Sequence, residues 1–221
     1  MLDAAELLPT FNIDSGTVIA HMAGGPAALV VAVENSEDSE DDGAAAAAGL
    51  GPHDVAIGLT ASGRTPYVGA ALRTARAAGA VTALITNNPG AVLSAEVDIA
   101  IEVDTGPEVL TGSTRLKAGT AQKLVLNGFS TALMIRRGRV WSNLMVSVVA
   151  TNAKLRDRTV RILAEATGQD LPSAAAVLAE ADGDLKPALV ATLCGVDVDA
   201  ARTALAASSG SVRDAVRHLA P

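Results

Sequence analysis

The sequence predicts an α/β fold built on a mostly parallel sheet, because short apolar strands alternate with helices up to Gly138. Such alternation implies right-handed crossovers and a sheet covered by helices on both faces. Beyond Gly138 the pattern changes to short helical segments that are separated by glycine and proline. Ligands of parallel sheets bind at the carboxyl ends of the strands, so the loops that follow the strands are candidate sites.

The chain has 221 residues, of which 49% are apolar but only 2% are aromatic, so its core must consist of Ala, Val, Leu and Ile. The formal net charge is −7. An acidic chain with few aromatic side chains lacks the usual features of proteins that bind nucleic acid or anionic membranes. The single cysteine, Cys194, excludes an internal disulfide and fits a reducing cytoplasm.

No segment indicates membrane insertion or a metal site. The first residues carry acids where a secretion signal would be basic, and the most apolar stretch, 17–33, is interrupted by histidine, glycine and proline. The histidines are too scattered to suggest a metal site or a catalytic triad. We therefore expect no membrane, nucleic acid or metal as a partner.

The region before residue 50 contains weaker signals. The predicted elements are a loop or short helix that ends at Pro9, a buried strand at 16–22, a helix at 27–33, a solvated acidic loop at 34–43 and a short helix at 44–48. The strand is predicted from the apolar residues Val18, Ile19 and Ala20.

The most informative stretch is 54–68, which predicts a buried strand, a turn rich in hydroxyls, and a helix. Thr65 suits the N-cap position and Pro66 the first helical position. The turn offers backbone N–H groups, the hydroxyls of Thr60, Ser62 and Thr65, and a positive helix end, which together favour an anion such as phosphate. A tight turn with a capping threonine explains the same residues, and the loop alone does not decide between the two interpretations.

The remaining elements follow from apolar periodicity and from turn residues. They are a helix that ends at Gly79, a strand at 81–86, a turn at 87–90, a strand at 97–103, a loop at 106–114, a helix at 115–136, an apolar connector at 141–150 and a helix from Thr151 to about Thr167. A bundle of three short helices is predicted after that, although extra helices packed on the sheet remain an alternative.

A series of sequence blocks runs through the chain in a fixed order. The blocks are Leu2–Glu6, Pro9–Thr10, Glu34–Ser39, Ala61–Val68, Asn88–Gly90, Gly106–Lys123, Asn143–Val146 and Ala150–Leu155. Together they resemble the N-acetylmuramic acid 6-phosphate etherases, which belong to the sugar isomerase (SIS) superfamily. One block alone is a weak signal, whereas this many in order is specific.

The resemblance implies a SIS-type three-layer sandwich at 1–150 that lacks its first strand, followed by a helical segment at 151–221 similar to ubiquitin-associated bundles. It also implies a homodimer that binds a sugar phosphate and needs no cofactor. The implied reaction removes the D-lactyl ether from N-acetylmuramic acid 6-phosphate. The products are N-acetylglucosamine 6-phosphate and D-lactate, as in cell-wall recycling.

The resemblance also implies roles for individual residues. It assigns the elimination acid/base to Glu6 and the glutamate linked to water addition to Glu37. The phosphate-holding loop of the superfamily corresponds to Thr60, Ser62, Gly63 and Thr65. A remote phosphate anchor can position the reacting carbons against the base. The segment Ser113–Lys117 either reaches a ligand or caps a helix, and both interpretations stay open.

The chain departs from the family pattern at its beginning. Family members have a first strand and a glycine-rich loop before the Leu2–Glu6 block, whereas this chain starts within the block. Either Met1 is an internal residue of a longer protein or the chain is naturally truncated, and we expect the 221-residue form to have weak or no etherase activity. The alternatives are a phosphosugar-sensing regulator and an aldose–ketose isomerase. A sensor would not need both glutamates, and the long 106–123 block favours the etherase.

Overall fold

The structure is a computed structural model, and it describes residues 1–150 and 152–220. The strands are β1 (Val55–Thr60), β2 (Val81–Thr86), β3 (Ile99–Glu102), β4 (Val140–Trp141) and β5 (Leu144–Met145). The helices are α1 (Leu2–Phe11), α2 (Glu40–Ala47), α3 (Pro66–Ala77), α4 (Lys117–Arg136), α5 (Ala153–Thr167), α6 (Leu171–Glu180), α7 (Leu185–Cys194), α8 (Val198–Ala207) and α9 (Val212–Leu219).

The chain divides into two compact units. The first contains Met1 and Ala20–Gly128, and the second contains Leu2–Ile19 and the chain from Phe129 onward. The domain boundary that we place between 150 and 151 stays a prediction, and Thr151 lies outside the described residues.

A parallel sheet in the order β1-β2-β3 forms the centre of the first unit. The last residues of the three strands, Thr60, Thr86 and Glu102, are register partners across the sheet. The carboxyl ends of the strands therefore lie in one row, and the loops that follow them share one edge. The predicted α/β fold with a mostly parallel sheet is confirmed.

Helix α3 packs closely on this sheet. Leu72 of α3, Leu84 of β2 and Leu93 are all buried in one apolar cluster. A Cβ atom at Gly58 of β1 would lie 2.7 Å from the Leu72 side chain, so the absence of a side chain there lets the helix approach the strand. Helix α2 approaches α3 in the same way, because a Cβ at Gly43 would overlap the Tyr67 carbonyl oxygen.

The predicted buried strand at 16–22 is wrong. These residues form no strand, and Ile19 is 68% exposed. A strand needs a neighbour for its backbone hydrogen bonds, and this segment pairs with none of the strands in 1–150 or 152–220. The predicted helix at 27–33 is instead a short, exposed 3-10 helix at Gly25–Leu29.

The acidic run is exposed at most positions, as predicted, but it is only partly a loop. A 3-10 turn covers Ser36–Asp38, and α2 begins directly after Ser39. The Ser39 hydroxyl accepts a hydrogen bond from the Asp42 N–H at 3.2 Å. Three acids in the first turn interact favourably with the positive end of the helix.

The second unit is mainly helical. Leu163, Leu189 and Val190 are completely buried in its core, and Trp141 of the β4–β5 hairpin packs against that core. Within the described residues, four short helices follow α5, so the prediction of three is wrong. Side-chain oxygens cap all four starts: those of Asp170, Asp184, Asp197 and Ser211.

Helix α1 also belongs to the second unit and extends past Pro9 to Phe11, so the predicted end at Pro9 is wrong. Leu7 is buried with Ile13 and Met134. The Arg139 guanidinium donates to the Phe11 carbonyl at 3.2 Å. Tertiary packing and this cap stabilise a helical turn that the proline alone would disfavour.

Candidate functional site

Three hydroxyls meet where β1 ends. Thr60 Oγ1 lies 2.7 Å from Thr65 Oγ1 and 3.3 Å from Ser62 Oγ. Thr60 is buried, whereas Ser62 and Thr65 are half-buried. Each hydroxyl has one O–H to donate, and the two contacts use two of the three. One O–H of this cluster is therefore left to donate to a bound acceptor.

Gly63 gives the loop after β1 its shape. Its φ is +66°, and a Cβ there would overlap the Ala91 Cβ and lie 2.8 Å from Thr86 Oγ1. Glycine alone satisfies both the left-handed backbone and the close contact. The loop after β1 is thereby held directly against the loop that follows β2.

The loop after β2 binds the carbonyl oxygens of the loop after β1. The Asn87 N–H donates to the Ala61 carbonyl at 3.1 Å, and the Leu93 N–H donates to the Gly63 carbonyl at 3.1 Å. A planar trans peptide points its N–H away from its C=O. The N–H groups of residues 62 and 64, which share peptides with these carbonyls, therefore face away from the loop after β2, in an arrangement suited to an anion.

The start of α3 completes this arrangement. Thr65 occupies the N-cap position with φ −60° and ψ 121°, and Pro66 is the first helical residue, as predicted. Its side chain does not cap the helix, because among the described residues the Thr65 hydroxyl contacts Thr60 and not an N–H of the helix. The Thr65 side chain therefore leaves the N–H groups of the first turn, at the positive end of the helix, uncapped.

Sequence reasoning missed several residues at this edge of the sheet. The Thr86 hydroxyl donates to the Ala61 carbonyl at 3.3 Å, and the Asn88 side-chain amide donates to the Ser62 carbonyl at 3.4 Å. The Gln122 amide donates to the Asn87 side-chain oxygen at 3.0 Å and connects α4 to the same loop. The rule that loops after neighbouring parallel strands adjoin could have identified them.

The two glutamates singled out by the resemblance lie in different units. Glu37 is exposed on the 3-10 turn Ser36–Asp38, which packs against α3, so it shares the first unit with the hydroxyl cluster. Asn35, with φ +62°, precedes this turn. Glu6 is exposed on α1 in the second unit.

The segment Ser113–Lys117 leads into α4, and Glu108 binds the start of that helix. Its carboxylate accepts from the Ala118 N–H at 2.9 Å and from the Lys117 N–H at 3.0 Å. These hydrogen bonds hold the pKa of Glu108 below its usual value. The Lys117 ammonium donates to the Thr105 carbonyl at 2.6 Å, so these contacts hold the segment from Thr105 to Glu108 to the start of the helix.

The part of the chain that the structure describes, residues 1–150 and 152–220, offers no evident metal site. It contains no cluster of three or more His, Cys, Asp or Glu side chains that could bind a metal ion. Over the same residues, no helix has the length and apolar character required to cross a membrane.

The parallel sheet and its loop edge define a class of protein. Residues 29–132 match the model of the SIS domain, so this part of the chain is similar to that domain. The predicted fold class is confirmed by this match.

Among known proteins, the chain is similar to several that share one name. N-acetylmuramic acid 6-phosphate etherase of Thermobifida fusca (strain YX) is 61% identical over 167 residues, which are 76% of this chain and 55% of that protein. The etherase of Pectobacterium atrosepticum is 54% identical, covering 79% of this chain and 58% of the relative. The etherase of Deinococcus radiodurans is 52% identical, covering 80% and 58%.

The chain is therefore similar to the N-acetylmuramic acid 6-phosphate etherases over 76–80% of its length, and the resemblance seen in the sequence blocks is confirmed. It spans between 55% and 60% of the length of the curated relatives that it matches.

Proposed function

We propose that this protein is an N-acetylmuramic acid 6-phosphate etherase, a lyase that releases D-lactate in cell-wall recycling. The observation that carries the proposal is the identity of 51–61% to several proteins of that name. The sugar phosphate is the substrate, and the reaction needs no cofactor.

The loop after β1 is proposed to hold the C6 phosphate. Its support is the spare O–H among Thr60, Ser62 and Thr65, together with the outward N–H groups of residues 62 and 64. The positive end of α3 adds favourable electrostatics for an anion. Gly63 lets the loop lie against the loop after β2, and the N–H groups of residues 62 and 64 then face the proposed phosphate.

The two glutamates are proposed to perform the proton transfers. In the open-chain sugar the C2 proton lies next to an aldehyde, which makes it removable by a carboxylate base. Glu6 takes this proton and returns one to the leaving lactate oxygen as the C3–O bond breaks. Glu37 then helps water add to C3 of the unsaturated aldehyde while C2 regains a proton. Phosphate binding supplies energy to align C2 and C3 with these groups.

We also propose a cytoplasmic homodimer. The support for self-association is the exposure of several large apolar side chains in the first unit, including Val30 at 88% and Val109 at 94%. Sedimentation of the full chain at several concentrations tests this. A monomer at every concentration would contradict the dimer.

The direct test of the activity is lactate release from N-acetylmuramic acid 6-phosphate by the full chain. Any release above the protein-free rate is expected to disappear in Glu6→Gln and Glu37→Gln and to persist in Glu34→Gln, a nearby exposed acid that serves as the matched control. In water labelled with heavy oxygen, the label is expected in the amino sugar product and not in lactate.

The other outcomes separate the alternatives. The 221-residue form is expected to release lactate weakly or not at all, so binding of the sugar phosphate without release fits this form as well as a sensor. Full turnover would contradict the expected loss of activity and exclude the sensor. The absence of both binding and release would refute the proposed function altogether. Loss of activity in Glu34→Gln as well would contradict the specific roles of Glu6 and Glu37.

A further inference from the structure

We propose that Glu102, the last residue of β3, is a positioning residue for the phosphate loop, although it lies two strands away from that loop. It acts through the loop after β2. The proposal rests on the proposed function only in taking a sugar phosphate as the ligand.

The Glu102 carboxylate binds the loop after β2 at two residues. One carboxylate oxygen accepts from the Gly90 N–H at 3.0 Å, and the other accepts from the Ser94 hydroxyl at 2.5 Å. The hydrogen bonds from Ser94 and Gly90 hold the pKa of Glu102 below its usual value, so it is ionised at neutral pH. Charge-assisted hydrogen bonds of this kind are stronger than neutral ones.

Two residues between these two points contact the phosphate loop at Gly63. Ala91 is buried, and it occupies the space beside Gly63 that a Cβ would need. Leu93 is also buried, and its N–H binds the Gly63 carbonyl. The orientation of the peptide between residues 63 and 64 therefore depends on a segment that Glu102 holds at both ends.

In the first half of the loop after β2, Asn87 and Asn88 bind the loop after β1, whereas Gly90 is held by Glu102. Asn88, Pro89 and Gly90 are exposed, and Gly90 has φ +71° with no atom of the described residues within 4 Å of the position of a Cβ. Without the carboxylate, part of this segment becomes free to move, and a ligand must order it on binding. Such ordering lowers affinity, because the binding free energy must offset the lost conformational freedom.

The experiment measures the binding of N-acetylglucosamine 6-phosphate to the full chain by titration calorimetry. Glu102→Ala is expected to weaken binding about tenfold with unchanged stoichiometry, and Ser94→Ala is expected to weaken it less. The matched control is Glu96→Ala, because Glu96 lies in the same segment but its carboxylate binds Arg73 at 3.1 Å. The control is expected to bind as the unmodified chain does.

A merely structural role for Glu102 gives a different result. If its loss unfolds part of the sample, the stoichiometry falls while the dissociation constant of the folded remainder stays the same, and the proposal is overturned. It is also overturned if Glu102→Ala and Glu96→Ala bind equally well.

Amide hydrogen exchange separates this proposal from the proposed function. If the unmodified chain does not bind the sugar phosphate, the proposed ligand is wrong, but the coupling between the loops can still be measured. Exchange at residues 61–65 is expected to be faster in Glu102→Ala than in Glu96→Ala. Equal exchange rates in the two variants would overturn the positioning role.

Discussion

Gly63→Ala is the substitution to which the phosphate loop is expected to be most sensitive. Two separate features of Gly63 oppose a side chain. The backbone is left-handed, with φ +66°, and the new Cβ would overlap the Ala91 Cβ. The Ala91 methyl is fixed to its backbone and cannot rotate away, so relief requires the two loops to separate.

The magnitude follows from these two effects. A left-handed conformation costs an alanine about 1–2 kcal/mol. Overpacking a tight contact adds about 1–3 kcal/mol. The sum of about 2–5 kcal/mol is a large part of the ~5–15 kcal/mol by which a domain is usually stable. With a urea dependence of about 2 kcal/mol per molar, the unfolding midpoint falls by about 1–2.5 M.

The assay is urea unfolding followed by circular dichroism, with Gly90→Ala as the matched control. Gly90 has φ +71° in the adjoining loop, but within 1–150 and 152–220 no atom lies within 4 Å of the position that its Cβ would take, so the control carries the backbone cost alone. Its midpoint is expected to fall by about 0.5–1 M. Equal midpoints for the two variants would refute the steric argument, and an unchanged midpoint for Gly63→Ala would refute both effects.

Three further predictions concern stability. Burial lowers the pKa of Lys186 to about 8, whereas a lysine of the unfolded chain has a pKa of ~10.4, so between these values the unfolded chain binds more protons and stability rises with pH. Unfolding measured across this pH range should lose the rise in Lys186→Met. The same pH dependence of stability in the variant and the unmodified chain would contradict this. Hydrogen bonds from Thr82 lower the pKa of Asp98, so its contribution is present above ~3.9 and lost as the pH falls through the lower folded value. Acid unfolding should therefore be less steep in Asp98→Asn, and an identical profile would argue against this. Gly43→Ala should destabilise the chain by about 1–3 kcal/mol, because the new Cβ would overlap the backbone of α3. The control Gly49→Ala, with open space among the described residues, should change thermal stability by less than about 0.5 kcal/mol. Equal effects of the two substitutions would contradict the steric overlap at Gly43.

Local signals predicted the site-bearing part of the fold well. The apolar run at 55–60 predicts β1, and the start and end of α3 follow from Pro66 and the glycine at 79. Each of these signals acts through its own backbone or its immediate neighbours. The regular alternation then fixed the parallel sheet, and with it the edge at which Thr60 and Thr65 meet.

Pairing and packing decided the elements that local signals misjudged. Residues 16–22 have the composition of a strand, but composition does not supply a hydrogen-bonding neighbour. The number of C-terminal helices could have been predicted from the sequence. Shortly after each of four glycines stands a residue that suits an N-cap: Asp170, Asp184, Asp197 and Ser211. The contacts of Glu102 could not have been predicted from the sequence, because they join residues that only the folded loop brings together.

The distribution of aromatic residues gives each unit its own optical reporter. The chain has one tyrosine and one tryptophan. Tyr67 lies in α3 of the first unit, and Trp141 packs on the core of the second. Near-ultraviolet signals of the unmodified protein can therefore follow the melting of the two units separately. Coincident transitions would show that the units fold cooperatively, and separate ones that each is an autonomous folding unit.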